Sequence, residues 1–466
     1  MALLVRAPML AVLGALVISL ARYDRLGLSI VLFLAPLFAA GLALCSHERE
    51  SSGHWVVFIF VLIAALACSI RLFWALTRPM PQPHFLRTEG MVEQVRTWGR
   101  GYVAVLDTPG GGLLLRLPFA TLTEGMRLSI EGVTRPLRPA VPGGFSEERY
   151  WRARGVVAWF SPMSVAPLPP AWSFSRARFL LSRALAIYMP EMTGAYLRAA
   201  WTGQRTPSLN EAHRAWGTSH ILVVSGFHVG VVVLCAFLVI RWGHGLALSI
   251  VLWGYILLTG AAPGALRAGL MLQSALLSRV RGYPSSPLNS VCLAAVLLLL
   301  RSPFLFWDIG WRLSVLSVLA LAALGAWGQS RVRWLAASPI IFLVTFPQVA
   351  CTFGGVPVVG LPLNLFAPMF FALALPVASV AAVLRLLDVP CSTWLLSAVE
   401  GGFQLWGMMA DGLAGLMPGN VPWGPFLAWT GAGTLFLLLC RALRLSTGRT
   451  ALMTLAGTLA SFLLFL

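Results

Sequence analysis

From Ile221 to the C-terminus the chain is a succession of apolar segments joined by short arginine-bearing loops. They run at roughly 221–240, 245–261, 264–279, 288–300, 310–328, 336–350, 361–384, 396–416, 425–440 and 450–466, and three more lie at 7–21, 27–45 and 55–76. A segment of about 20 apolar residues is what a helix needs to cross a bilayer, and this series implies a polytopic α-helical membrane protein of about 10–13 membrane helices. Composition agrees. Apolar residues make up 58% of the 466 and charged residues 11%, where a soluble domain carries about 25% charged. Arg6 followed by an apolar run imitates a secretory signal, but further apolar segments follow at once, so a retained first helix is expected.

One stretch breaks the series. Between Arg78 and Arg176 stand 12 arginines and 7 acids, and no run there can span a bilayer. Residues 101–108 and 112–119 flank Pro109-Gly110-Gly111, a hairpin signal. In 126–133, Met126, Leu128 and Ile130 alternate with Arg127, Ser129 and Glu131, the period of a half-buried strand. Ser146-Glu147-Glu148 reads as a helix N-cap with acids in the first turn, closed by Gly155. Roughly five short strands and one short helix suit a small β-barrel, with the OB-fold the leading candidate. Next, residues 172–183 set Trp172, Phe174 and Phe179 beside Arg176, Arg178 and Arg183, the composition of an interfacial amphipathic helix. The expected organisation is N-terminal membrane helices over 1–77, an OB-fold-like soluble domain over 78–170, interfacial helices over 171–205 and a membrane domain over 206–466.

Every one of the 34 basic residues is arginine, and the formal charge is +18. Base composition of the genome is one explanation; contact with a polyanion is another, because the guanidinium fork suits phosphate. Arginine also sets orientation. If all the later segments span, Arg241, Arg279, Arg281, Arg331, Arg333, Arg385, Arg441, Arg444 and Arg449 share one side, and only Arg301 lies clearly on the other. The arginine-rich side is cytoplasmic, which puts the β domain outside and the N-terminus inside. Segment 396–416 carries a polar stripe of Glu400, Gln404 and Asp411, so it either spans or lies flat. Seven cysteines stand singly, with no CxxC; neither a metal site nor a disulfide framework is expected, and no cofactor is implied.

Polar residues inside apolar segments are expensive and usually functional. The densest group is Thr218-Ser219-His220 with Ser225-Gly226-Phe227-His228. Ser225 and His228 share a helix face and invite a Ser–His nucleophile, though no nearby carboxylate orients a base; a packing or pore-lining turn is the alternative. In Gly260-Ala261-Ala262-Pro263-Gly264, proline and glycine break a helix at its N-terminal end, with Arg267 following. Free N–H groups and the positive dipole end make such a break a ready anion site, and a snorkelling arginine is the plainer account. Asp308 and Arg312, at i and i+4, are expected to pair. From Gln348 through Gly354-Gly355 to Asn364 the backbone is interrupted, which the membrane tolerates only where it is buried in protein or lines a cavity. No Walker, HExxH or HxHxDH motif is present.

The run Gly217-Thr-Ser-His220-Ile-Leu-Val-Val-Ser225-Gly226-Phe227-His228-Val229 resembles the signature of the ComEC competence family, G-x-x-H-L-L-A-I-S-G-L-H-V. Pro142-Gly-Gly-Phe145, with Tyr150-Trp151 and Gly155, is similar to the family's N-P-G-x-F-D…Y-L…G-I segment. Gly260-Ala-Ala-Pro263 with Arg267-Ala268 resembles G-A-x-P-S-x-x-R-A, and Asp308-Ile-Gly310-Trp-Arg-Leu313-Ser314 resembles D-x-G-F-Q-L-S. Gln348 through Asn364 resembles its Q…N-x-x-x-x-P region. Ser146, Gly264 and Arg312 depart from the family's Asp, Ser and Gln.

The resemblance implies a channel carrying single-stranded DNA across the inner membrane during natural transformation. Its core is expected at His220, Ser225, Gly226, His228, Pro263, Arg267, Asp308, Arg312, Gln348 and Asn364. In the outer domain Arg96, Trp98, Arg100, Tyr102, Arg116, Arg135 and Arg138 offer the positive groove and aromatic faces that a single strand needs. Many members continue into a metallo-β-lactamase-like domain; none is seen before Leu466, so a short form or a shortened chain is expected, with a separate nuclease. Further expected partners are membrane lipids, a DNA receptor outside, a cytoplasmic motor or single-strand-binding protein, and a second copy of the chain. No catalytic role is expected here. Two other functions compete: a secondary transporter of a small anion or lipid precursor, which uses broken helices and midplane arginines, and the Ser–His intramembrane hydrolase.

Overall fold

In the computed structural model the described residues are 53–99, 101–117, 122–139, 145–239, 244–282, 286–325 and 332–422, with single helical residues within 9–20 and 431–439. Segments 27–45 and 450–466, and Arg100, lie outside them.

Helix α1 (Gly53–Thr77) leads into a closed barrel of β1 (Phe85–Trp98), β2 (Gly101–Asp107), β3 (Gly112–Leu117), β4 (Arg127–Arg135) and β5 (Val156–Pro167). The order around it is β1-β2-β3-β5-β4, with β3 and β5 parallel and the other pairs antiparallel. That is the OB-fold-like barrel expected. Alternation does the sorting: Leu128 and Ile130 of β4 point inward to meet Val92, Leu106, Leu113, Leu115 and Phe160, while Arg127, Ser129 and Glu131 are partly exposed. At the β2–β3 turn Gly111 takes a φ of +112°, open to glycine, and Thr108 Oγ1 donates to its carbonyl at 2.6 Å. The β4–β5 connection holds α2 (Glu147–Arg152), capped by Ser146, whose hydroxyl accepts from the Arg149 N–H at 3.2 Å. Trp151 of α2 is buried with Val103, Val105, Leu114 and Leu137, against the outer face of β2 and β3.

After the barrel come α3 (Phe174–Tyr188), α4 (Glu191–Thr202) and α5 (Pro207–Ala215). A 3-10 turn (Ser219–Ile221) leads to α6 (Gly226–Val239), α7 (His244–Leu258), α8 (Pro263–Val280) and α9 (Pro287–Arg301). A second 3-10 turn (Pro303–Trp307) leads to α10 (Ile309–Gly325), α11 (Val332–Phe353), α12 (Gly360–Leu386) and α13 (Ser392–Leu416). Two-residue strands β6 (Val356–Pro357) and β7 (Asn420–Val421) pair across the α11–α12 break. Among the described residues two helices are long and apolar enough to cross a membrane, Ala336–Phe353 and Gly360–Leu386. Shorter apolar helices are Ile63–Thr77, Gly226–Leu238, Gly245–Leu258, Pro287–Arg301 and Ile309–Gly325.

Two features differ from expectation. Helix α3 forms, but Arg178 is not on its outer face: Ser175, Arg178 and Ser182 are buried while Leu180 and Ile187 are exposed. The reason is a partner in the barrel, described below. The α13 carboxylates also face protein. Glu400 accepts from the N–H groups of Met192 and Thr193 and from Thr193 Oγ1, at 2.8–3.0 Å, satisfying free N–H groups at the start of α4. Asp411 accepts from Trp216 Nε1 at 2.8 Å. Glu400 is half-buried by these contacts, whereas Gln404 and Asp411 of that stripe are exposed.

Candidate nucleic-acid interface

The connection from Trp216 to His228 is the centre on which the helices converge. It starts from a buried relay: Tyr196 Oη meets His213 Nε2 at 2.8 Å, and His213 Nδ1 meets Thr218 Oγ1 at 2.9 Å. Gly217, at φ +68°, lies against the first residue of α12; a methyl group on Gly360 would sit 3.4 Å from Gly217 Cα. Asn364, one turn into α12, donates to Gly217 O at 3.3 Å. At the other end, Gly264 in the first turn of α8 packs on Val224 O, and Ser314 Oγ of α10 is beside it. Gly226 faces Ala268, with 3.5 Å between the Cβ positions. The N-terminal turns of α6, α8 and α12 thus meet on one connection, and α10 joins through Ser314. Each helix N-terminus carries about half a positive charge.

Ser225 Oγ lies 3.3 Å from His228 Nδ1, so the Ser–His contact exists. No carboxylate orients the imidazole among the described residues, and the backbone N–H of Ser225 also points at Nδ1, at 3.4 Å. The ring closes a turn at the start of α6. Nor could any group of three His, Cys, Asp or Glu among the described residues hold a metal ion.

Asp308 and Arg312 do not pair. Asp308 stands just before α10 and accepts from the Trp311 N–H at 3.1 Å, which turns its carboxylate to the helix end, where Arg154 Nη2 reaches it at 2.9 Å. Arg312 donates through Nε to Phe306 O at 2.6 Å and through Nη1 to Gln348 Oε1 at 3.4 Å. Gln348 and Arg312 are therefore brought together, while Pro263 opens α8 as its first residue. Arg267 is buried, with 2% of its surface exposed. His220 is exposed.

The barrel docks on this same end of the bundle. Arg154 ties it to α10; Arg149 stacks on Trp307 and Arg152 on Phe304, at 4.5 and 4.1 Å from the ring centres. A second tie is buried: Arg178 Nε meets Glu124 Oε2 at 2.8 Å, both side chains 4% exposed, and Arg178 Nη2 donates to Glu93 O at 2.5 Å. Gly260, just before the α8 break, lies against the same guanidinium.

Most of the expected outer-domain contacts gather on one face. The register sets Arg96 and Arg116 on either side of Val103, one row across β1, β2 and β3. Arg96 Nη1 donates to Tyr150 Oη at 3.1 Å, and Trp98 packs on Phe145, Tyr150 and Trp151 with ring centres 4.9–5.9 Å apart. Arg154 covers the Tyr150 ring at 3.7 Å. Burial pulls the Arg96 guanidinium below its usual pKa; Tyr150 opposes this, and the neighbouring charges of Arg154 and Arg205 add to it. Arg138 borders α2 from the other side, 3.9 Å from Glu147. Arg135 pairs in register with Trp159, whose Nε1 donates to Glu147. Tyr102 is half-buried, one position off the Arg96 row. Sequence reading missed Phe145 and Tyr150 as members of this face, and Arg205 as its neighbour. The two aromatics were marked by the segment Pro142–Gly155 that resembles the family's, but their contact with Trp98 and Arg96 was not; Arg205 carried no signal.

The family model described as "Competence protein" matches residues 200–461, from the end of α4 onward. The chain is 26% identical over 284 residues to ComE operon protein 3 of Bacillus subtilis (strain 168); the match covers 57% of this chain and 36% of the relative's length. No solved structure matches. The family match spans more than half the chain and takes in the connection on which the helices converge: this chain belongs to the competence protein family.

Proposed function

We propose that the chain is a polytopic inner-membrane channel that passes single-stranded DNA into the cytoplasm, with the barrel outside the membrane and the N-terminus inside. The observation that carries it is a juxtaposition. The aromatic and basic face formed by the β1–β2 end (Trp98, Arg96) and the β4–β5 connection (Phe145, Tyr150, Arg154) lies beside the end of the bundle where three helix N-termini meet on the connection that carries His220. In OB-folds those two loops hold oligonucleotides. Stacking rings above a positive groove suit a single strand, and weak, repeated contacts let it leave again.

Membrane placement is supported by the outer sides of the bundle. Met369, Leu373, Trp394, Leu405 and Met408 are all largely exposed, an apolar surface that water would not tolerate and lipid would. The helices under 18 residues span through local thinning of the bilayer and snorkelling of the residues that flank them. The strand's phosphates meet Arg96 and Arg116 first, then His220 and the α6 and α8 N-termini, then Arg312 and Gln348. A DNA receptor outside, a separate nuclease, and a cytoplasmic motor or single-strand-binding protein complete the process. Deleting the gene and scoring transformation and imported labelled DNA tests the proposal. Loss of both, restored by the gene in trans, is expected; undiminished DNA import would refute it.

A further inference from the structure

Among the described residues nothing balances the buried positive charge of Arg267. Its Nε and Nη1 are fully enclosed and have no hydrogen-bond partner among the described residues. No carboxylate pairs with it there either: Asp308, the nearest acid in the motif set, is held by Arg154. A snorkelling arginine would place its head in water, but this one is 2% exposed. A guanidinium taken out of water without a counter-charge is strongly unfavourable unless something else supplies the charge.

Where the group lies points to what that is. Side chains on a helix project toward its N-terminus, so Arg267 covers the first turn of α8. That turn starts at Pro263, after Ala262, with no side chain capping its N–H groups. Gly264 stands in it without a side chain, beside Ser225 and Ser314 Oγ. The first turn of α6 is close too, through Gly226 and Ala268. Two helix N-termini, an unpaired guanidinium and a serine hydroxyl gather at this turn; the Val224 carbonyl is the acceptor beside Gly264, and no acid is among them.

We propose that Arg267, with the first turn of α8 and Ser314, is a binding station for one phosphodiester group. Resting on the channel reading, it makes Arg267 the point at which the passing strand is held, one phosphate at a time. A phosphodiester brings a single charge and two free oxygens, which match one guanidinium fork. Free inorganic phosphate shares this chemistry and is the other source to be told apart.

The test uses the full chain in lipid nanodiscs, with fluorescent oligothymidylate of 20 nucleotides and inorganic phosphate as separate probes. For the unsubstituted chain, log Kd against log salt gives the slope of the whole path. Arg267→Met should lower that slope by about 0.7, the value of one single-strand phosphate contact, and Arg267→Lys should keep it. Without ligand, Arg267→Met should melt no lower than the unsubstituted chain, because a buried charge without a partner is removed. Arg267→Gln gives the same comparison should the methionine variant fail to accumulate. An unchanged slope in both neutral variants, with a lower melting temperature, would overturn the station and make Arg267 structural. Stabilisation by phosphate that oligothymidylate cannot compete away would overturn it as a strand site. If the unsubstituted chain itself fails to bind oligothymidylate at low salt, the channel reading falls, and the station with it.

Discussion

Arg178 and Glu124 join the barrel to the bundle as a buried ion pair, and replacing one partner should open that joint. Arg178→Met leaves the Glu124 carboxylate 4% exposed, deprived of the 2.8 Å contact, and also frees the Glu93 carbonyl. Breaking such a pair from one side costs about 3–5 kcal/mol. At about 1.4 kcal/mol per factor of ten, the population in which the barrel has lifted should rise by roughly 10²-fold to several thousandfold. The segment between β5 and α3, residues 168–173, becomes accessible in that state, so its cleavage by protease in nanodiscs reports the open population when reclosing is fast. Arg178→Met with Glu124→Leu removes both charges, and the double variant should return to within about tenfold of the unsubstituted rate. A single variant cleaved less than about fivefold faster, equivalent to under about 1 kcal/mol, would refute the inference that this pair holds the joint.

Ser225→Ala should leave DNA uptake largely intact, because alanine fits the turn that Ser225 and His228 form; Gly226→Leu should abolish it at equal abundance, since at 3.5 Å from the Ala268 Cβ a larger side chain must force α6 and α8 apart. Loss with Ser225→Ala alone would reopen the hydrolase reading. Arg138→Cys and Ser330→Cys, in a background without native cysteines, should label from opposite faces of the membrane with an impermeant thiol reagent; labelling from one face would contradict the topology. Desolvation by the surrounding protein, then Asp107, raises the carboxyl of the surface residue Glu93 above its usual 4.5, against the pull of Arg178 and Arg301. The folded state thus holds that proton longer than the unfolded state, and stability falls as pH rises from 4.5 through the folded pKa. Glu93→Gln should remove that fall; parallel melting curves for the two proteins across pH 4.5–7.5 would contradict it.

Local chemistry was legible in the sequence and tertiary partnership was not. The Pro109-Gly110-Gly111 turn, the Ser146 cap and the β4 alternation depend on neighbours within a few residues, and all three appear where the pattern placed them. β1 was missed as a strand because its inward positions Thr88 and Gly90 are not apolar; it is held by pairing to β2 on one side and β4 on the other, with a bulge between Val92 and Gln94. At the site, the motifs marked the right turns but not their contacts. The i, i+4 rule paired Asp308 with Arg312, and an arginine 154 positions away took the carboxylate instead. Glu400 meets Thr193 across 207 positions, a distance no local rule can read. Arg178 looked like a headgroup anchor because its partner lies in another domain of the chain.

The path itself is tested most directly by trapping a strand within it. A photo-crosslinking residue placed singly at Trp98, His220 or Leu373, in cells taking up radiolabelled DNA, asks which positions touch the strand. Positions 98 and 220 should each capture labelled DNA that is sensitive to a single-strand nuclease, and Leu373, on the exposed apolar side of α12, should capture none. Capture at 373 equal to that at 220, or no capture at 220 while uptake proceeds, would contradict a route through the centre of the bundle.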